Sequence, residues 1–403
     1  MVFLKLTEIP EEFRKARPIL KKINDAGFKA YFVGGSVRDS ILNKPLHDID
    51  IATSAYPTEI KQIFPKTVDT GIKHGTVMVI DDGTGYEITT FRTEGAYQDF
   101  RRPDNVTFVR SLEEDLKRRD FTINALALSE DGNIIDLFGG IKDLNNHMIR
   151  AVGDPEERFH EDALRMMRAV RFASQLDFSI EKNTIDAITK NSHLLKKIAV
   201  ERILVEFEKM MLGKDPSIGI SEMLESHMTE FIPESKVITE ALNDLSDKKF
   251  LNIENTVQLW SIILFTTKQK ASEIHSFLKK WKTSNELIQN VQDTVFFLEG
   301  MRSNRINNQL LFNTGEKNLE NALHISGLFE MDVKNYKKDY EKLTIKSNKE
   351  LAITGNDLIL NDLAEPGPQM GVILKRLKEQ VIDGMVANEK NKLLEIAKTI
   401  KEL

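Results

Sequence analysis

Two acidic residues stand one residue apart in His47-Asp48-Ile49-Asp50, a short distance after Tyr31-Phe32-Val33-Gly34-Gly35-Ser36-Val37-Arg38-Asp39. Alternate residues of a strand share a face, so Asp48 and Asp50 would point the same way. Two carboxylates that close repel unless a divalent cation sits between them. Glycines at a strand end let the backbone approach a phosphate chain, and Arg38 can grip that chain bidentately. The chemistry this points to is metal-assisted nucleotidyl transfer. Glu87, in Tyr86-Glu87-Ile88-Thr89, is the best candidate for a third carboxylate, on a predicted strand that could pair beside the aspartates. An isolated Asp-x-Asp is more often a solvated face of an edge strand. Beside Gly-Gly-x-x-Arg-Asp the balance shifts to the metal reading.

Two further clusters bear on the same chemistry. Arg118-Arg119-Asp120-Phe121-Thr122-Ile123-Asn124-Ala125 combines arginines suited to phosphates with an acid and an amide that could hydrogen-bond a ribose. If that segment is helical, Asp120 and Asn124 share a face. The alternative is a capped helix start with solvated arginines. Glu161-Asp162-Ala163-Leu164-Arg165 continues through Arg168 and Arg171 on a predicted helix. At three residues' separation Asp162 and Arg165 lie close on one face. An ordinary intrahelical ion pair would be worth only about 0.2–0.5 kcal/mol. The sharper reading uses donors and acceptors. A carboxylate accepts from the amino group of C or A, and a guanidinium donates to the neighbouring acceptors. U and G present the reverse order, so one Asp–Arg pair could admit C and A and reject U and G.

The elements that must hold these groups divide the chain in two. Short β-type runs (Lys29–Val33, Asp50–Ala52, Thr76–Ile80, Tyr86–Phe91, Asn105–Val109) alternate with helices at Pro18–Ala26 and Pro57–Phe64, each proline being placed in a first turn. Beyond about Arg150 nearly every segment has helical period. The fold class is α+β, a small head followed by an all-helical remainder. Of 403 residues, 41% are hydrophobic and 29% charged, as in a globular protein with a real core. Cysteine is absent, which excludes disulfides and thiolate metal sites and fits a reducing cytoplasm. No signal-type apolar segment opens the chain and no stretch reads as membrane-spanning. A net charge of −6 argues against indiscriminate coating of nucleic acid, though not against a local basic surface.

Gly34–Asp39, Asp48–Asp50, Arg118–Ala125 and Glu161–Arg165 come in the order and form of four motifs of the bacterial class II CCA-adding tRNA nucleotidyltransferases, which this chain resembles. Val200-Glu201-Arg202-Ile203 with Glu206 resembles a fifth. The resemblance covers roughly the first half of the chain in sharp motifs. It implies a polymerase-β-like nucleotidyltransferase head at 1–148, a neck carrying the base-recognition helix at 149–212, a helical body at 213–290 and a helical tail binding tRNA at 291–403. It implies Mg²⁺ on Asp48 and Asp50 and nucleotide contacts from Gly35, Arg38 and Arg119. Asp120 and Asn124 match ribose positions. Asp162 and Arg165 match the protein template, with Arg168 and Arg171 beside them. The implied partners are the tRNA acceptor arm and 3′ end, CTP and ATP, with no membrane and with a homodimer left open. A-adding enzymes and poly(A) polymerases share the head motifs and are the near rivals. A noncatalytic RNA-binding protein is the remote one. By the family pattern the long segment Thr93–Asn105 favours full CCA addition or A-addition over CC addition, and it suits a lever that helps the pocket change from C to A. His47-Asp48 is the only His-Asp dipeptide, so no metal-dependent phosphohydrolase domain is expected. In the helical part, Trp260 reads as core, while Gly355–Leu358 and Pro366–Gly371 read as turns that could face phosphates or simply cap helices.

Overall fold

The computed structural model describes residues 4–6, 8–46, 48–94, 97–98, 102–103, 106–246, 248 and 252–401. The chain forms two compact units, Met1–Phe250 and Leu251–Leu403. The first contains a mixed eight-stranded sheet. Its order runs Leu4–Lys5, Asn133–Asp136, Leu126–Leu128, Ala30–Val33, Asp50–Thr53, Thr84–Thr90, Thr76–Asp81, Thr67–Gly71. Val33, Ala52, Phe91, Leu116, Ala125, Ala127 and Val152 pack into a core on the sheet. Burying such side chains contributes about 1.5–3 kcal/mol each for the larger ones.

All five expected strands form, as Ala30–Val33, Asp50–Thr53, Thr76–Asp81, Thr84–Thr90 and Val106–Phe108. The expected start at Pro18 is corrected: the helix runs Glu11–Asp25 with Pro18 inside it. Phe13, Ala16, Ile19, Leu20 and Ile23 are buried along one stripe, and that burial outweighs the missing proline N–H. The segment after Arg118 is likewise no helix. It makes a single 3-10 turn, Thr122–Asn124, and enters the strand Leu126–Leu128. Leu126, Ala127 and Leu128 are all buried, so a continuous apolar run in a sheet interior mimicked a helical period.

The Thr122 turn is wedged by a glycine. Asp136 accepts from the backbone N–H groups of Phe138, Gly140 and Ile141 and so starts the helix Gly140–Asn145. A Cβ on Gly140 would lie 2.3 Å from the Thr122 carbonyl oxygen. Gly140→Ala should therefore cost about 1–3 kcal/mol, read as a lowered Tm. Gly371→Ala, on the helix Pro368–Ile382 with nothing within 4 Å of its Cβ position, should be neutral or mildly stabilising in the same assay.

Beyond residue 150 the first unit is helical, apart from the short parallel pair Met148–Ile149 and Ser179–Ile180. The second unit is built from helices, the longer ones being Thr256–Thr266, Ala271–Lys280, Asn285–Arg302, Asn308–Ser326, Pro368–Ile382 and Lys390–Lys401. Trp260 is fully buried against Trp281 and Phe277, as expected of a core residue. The expected division between 290 and 291 falls inside Asn285–Arg302. Gly355–Leu358 opens a helix whose first turn is closed by a capping box of Thr354 and Asp357. Among the described residues no helix is long and apolar enough to cross a membrane.

Candidate active site

Asp50 opens its strand, and the parallel register sets it directly opposite Glu87. On its other side Ala30–Val33 runs antiparallel and ends in Gly34-Gly35, where the helix Gly35–Ile41 begins. Gly34 has φ +75, and a Cβ there would sit 3.0 Å from Arg119 Nη1 and 3.8 Å from Asp50 Oδ2. Only glycine allows this approach without strain. Asp48 lies just before the strand rather than in it, yet close enough to repel Asp50. Burial, together with Glu87 and Asp48, pushes the Asp50 carboxyl up, and Arg119 only partly offsets this. Among the described residues no side chain hydrogen-bonds the carboxylates of Asp48, Asp50 or Glu87. Asp48 and Asp50, hard oxygen donors that repel one another and lack partners, fit a divalent cation, although among the described residues no three such side chains come together. His47 lies outside the described residues.

Of these three carboxylates Asp50 opens onto a cavity of about 770 Å³, lined also by Gly34, Gly35, Arg38, Asp120, Asn124, Asp162 and Phe172, among others; Asp48 and Glu87 do not line it. Eight arginines line it against three aspartates, a strong bias toward a polyanion. Its walls are tied together by hydrogen bonds. Asp115, buried on the helix Leu112–Lys117, receives Arg118 at 2.6 Å and Arg119 at 3.3 Å. Burial would raise its carboxyl pKa, but the two guanidiniums more than offset this and hold it below the ordinary value. Arg38 is clamped by Asp39 at 2.9 Å and donates to Asn124 Oδ1 at 2.6 Å. Asn124 in turn donates to Asp120 at 3.1 Å, and Arg168 Nε donates to the other Asp120 oxygen at 2.7 Å. Burial opposes ionisation of Asp120, yet Arg168 and Asn124 hold its carboxyl well below the usual carboxylate range. Arg171 pairs with buried Glu206 and donates to Gln175 at 2.7 Å.

The side chains of Asp162 and Arg165 do not pair, although the Arg165 N–H donates to the Asp162 carbonyl at 3.0 Å. No single helix spans the two residues. Pro155–Glu161 ends at Asp162, whose φ and ψ are −138° and 102°, and Leu164–Leu176 starts afresh. Asp162 Oδ1 accepts from the Leu164 N–H at 3.0 Å. Asp162 pairs with Arg202 at 2.8 and 3.3 Å, while Arg165 pairs with Glu161 at 2.7 Å and donates to the Arg118 carbonyl at 2.9 Å. An acid favoured at a cap competes with helix continuation, which the period alone did not reveal. Both residues still line the cavity, with Arg168 and Arg171 beside them.

The cavity thus gathers Gly35, Arg38, Asp50, Arg119, Asp120, Asn124, Asp162, Arg165, Arg168 and Arg171. It adds Arg202, Arg92 and His74, which had no place among the expected site residues. For Arg202 the signal was its position in the fifth motif. For His74 it was the following Gly75, a residue at φ +85. The Thr93–Asn105 segment is described only in part. Arg92–Glu94 pairs with Val106–Phe108 and Tyr97–Gln98 with Arg102–Pro103, and its remaining residues lie outside the described set.

The poly A polymerase head domain matches residues 30–150 of this chain, and tRNA nucleotidyltransferase domain 2 matches 251–397. The probable RNA- and SrmB-binding site of polymerase A matches 177–238. A CCA-adding enzyme of Pediococcus pentosaceus is 57% identical over 386 residues, 96% of this chain and 98% of that one. The chain belongs to the CCA-adding enzymes. A Limosilactobacillus reuteri CCA-adding enzyme is 54% identical over 97% of this chain and 98% of its own length. Among solved structures, the CCA-adding enzyme of Bacillus stearothermophilus in complex with CTP superposes with a TM-score of 0.86, at 35% identity, covering 98% of each chain. The chain is accordingly an RNA nucleotidyltransferase with a polymerase-type head and a helical remainder, in a metal-dependent family. Full-length kinship to CCA-adding enzymes separates it from the poly(A) polymerases, with which it shares a head.

Proposed function

We propose that this enzyme adds C, C and A in turn to the 3′ end of tRNA from CTP and ATP, releasing pyrophosphate and using its own side chains as template. The observation that carries the reading is one cavity joining Asp50, whose carboxylate has no hydrogen-bond partner among the described residues, a Gly-Gly turn and an arginine-rich wall that contains Asp162 and Arg165. Asp48 and Asp50 would hold Mg²⁺; Glu87 lies across the register from Asp50, but among the described residues no three metal-ligating side chains come together, so it is not counted as a third donor. The metal would supply charge neutralisation at the reacting phosphates. Gly35, Arg38 and Arg119 receive the triphosphate. Asp120 and Asn124 border the ribose, and their hydrogen bonds hold Arg168 and Arg38 in place. Asp162 accepts from the amino group of C or A and Arg165 donates to the adjacent acceptor, with Arg168 and Arg171 closing the wall.

In this reading the head at 1–148 performs the transfer, the neck at 149–212 selects the base, and the helical remainder beyond it grips the tRNA. An acceptor arm is an A-form helix, read by shape and backbone. The length of Thr93–Asn105 supports the complete reaction over CC addition. A tRNA, CTP and ATP as substrates fit work in the cytoplasm. A tRNA lacking its last three nucleotides should gain two residues from CTP alone, none from ATP alone, and three from both. Failure to incorporate C would overturn the reading, and A added without C would make this an A-adding enzyme.

A further inference from the structure

The two sides of Asp50 differ chemically. The Ala30–Val33 side delivers the Gly34-Gly35 turn and Arg38. On the opposite side, Thr84–Thr90 sets Glu87 beside Asp50, and Thr76–Asp81 lies beyond it. The 3-10 turn Ile72–His74 leads into that last strand, and His74 lines the same cavity as Asp50. In phosphoryl transfer the attacking and leaving oxygens lie roughly in line through the phosphorus. With the triphosphate on the glycine side, the acceptor 3′ hydroxyl must arrive from the side of Glu87 and His74.

The His74 turn is built rigidly. Gly75 follows at φ +85, and a Cβ there would come within 2.8 Å of Phe108 Cε1. Arg92 Nη1 donates to the His74 carbonyl at 2.6 Å, and the Arg92 backbone N–H donates to buried Asp115 at 3.3 Å. Asp115 also holds Arg119, which faces Asp50. The turn is therefore keyed to the reacting centre, while the imidazole itself is exposed and has no hydrogen-bond partner among the described residues.

We propose that His74 binds the last phosphodiester of the acceptor strand, donating an imidazole N–H to a phosphate oxygen, with Arg92 as the positioning residue for its turn. Phosphate contacts of this kind fix register without reading sequence, which suits an end that changes from C to CC to CCA. The inference rests on the nucleotidyl-transfer reading above. Its test uses tRNA ending in CC, with ATP as the second substrate.

His74→Ala should raise the KM for this RNA five- to tenfold and leave the KM for ATP within twofold. His74→Gln, which keeps an N–H donor, should recover most of the loss. An uncharged methylphosphonate at the last linkage should raise the KM of the unsubstituted enzyme by a similar factor and add little further in His74→Ala. An unchanged RNA KM, a parallel rise in the KM for ATP, or full additivity of the two changes would each overturn the assignment. Failure of the unsubstituted enzyme to add A to this RNA would instead overturn the nucleotidyl-transfer reading.

Discussion

Asp50→Ala should lower nucleotide incorporation by about a thousandfold or more, the scale expected when charge stabilisation at a reacting phosphate is lost. Binding of tRNA should stay within about twofold, because phosphate contacts dominate RNA affinity and the proposed reading assigns most of them to the helical remainder. The effect on stability should run opposite to the effect on activity. Folded Asp50 has a raised carboxyl pKa, caused first by burial and then by Glu87 and Asp48. A carboxyl that holds its proton more tightly in the folded than in the unfolded chain costs stability when ionised. That cost is present at neutral pH and disappears as pH falls below the unfolded value. Removing the group should leave the Tm of the metal-free protein unchanged or higher. A substitution that stabilises the fold while ending the chemistry marks a functional residue. Retained incorporation would remove Asp50 from the metal site. Loss of incorporation together with a fall in Tm would make it a structural residue.

The head was largely legible because its site residues sit where local rules are strict. A strand ending in Gly-Gly demands particular backbone geometry, and Gly34 at φ +75 meets it, whereas of the two alternate carboxylates only Asp50 lies in the strand. Glu87 was found by a pairing argument, and the register bears out the pairing with Asp50. The failures came where tertiary partners override period. Pro18 sits within a helix because its neighbours bury a continuous stripe. The Arg118–Ala125 segment shares its spacing with a helix, but Leu126–Leu128 belongs to the sheet and leaves room for only one turn.

The partners of Asp162 and Arg165 were illegible for another reason. Arg202 is forty residues away in sequence, and nothing in local spacing ranks it above Arg165 as the partner of Asp162. Charge pairing across elements depends on packing, which period does not encode. Asp115 is similar. Its spacing to Arg118 and Arg119 resembles a solvated surface pair, yet it is 1% exposed and fixes one wall of the cavity.

These partners sharpen the expectation for base selection. The side chains of Asp162 and Arg165 are held by Arg202 and Glu161 respectively, so both proposed template groups are positioned before any base is present. Asp162→Ala should relax discrimination against UTP or GTP by about ten- to a hundredfold relative to CTP, the range for losing one bidentate base contact. It should also remove the acceptor for the Leu164 N–H, at about 1 kcal/mol of stability. Asp162→Asn separates the two effects. Its amide oxygen can still accept from Leu164, so only the ion pair with Arg202 is lost and the Tm should fall less. Its NH₂ group meets the amino group of C or A donor to donor when that edge is turned toward the base, and the charge facing Arg202 is gone. Misincorporation measured with each single nucleotide should therefore rise in both variants, while Tm falls further in Asp162→Ala. Discrimination that survives in Asp162→Asn would reduce Asp162 to a helix cap and ion-pair partner and leave base choice to the arginines of the wall.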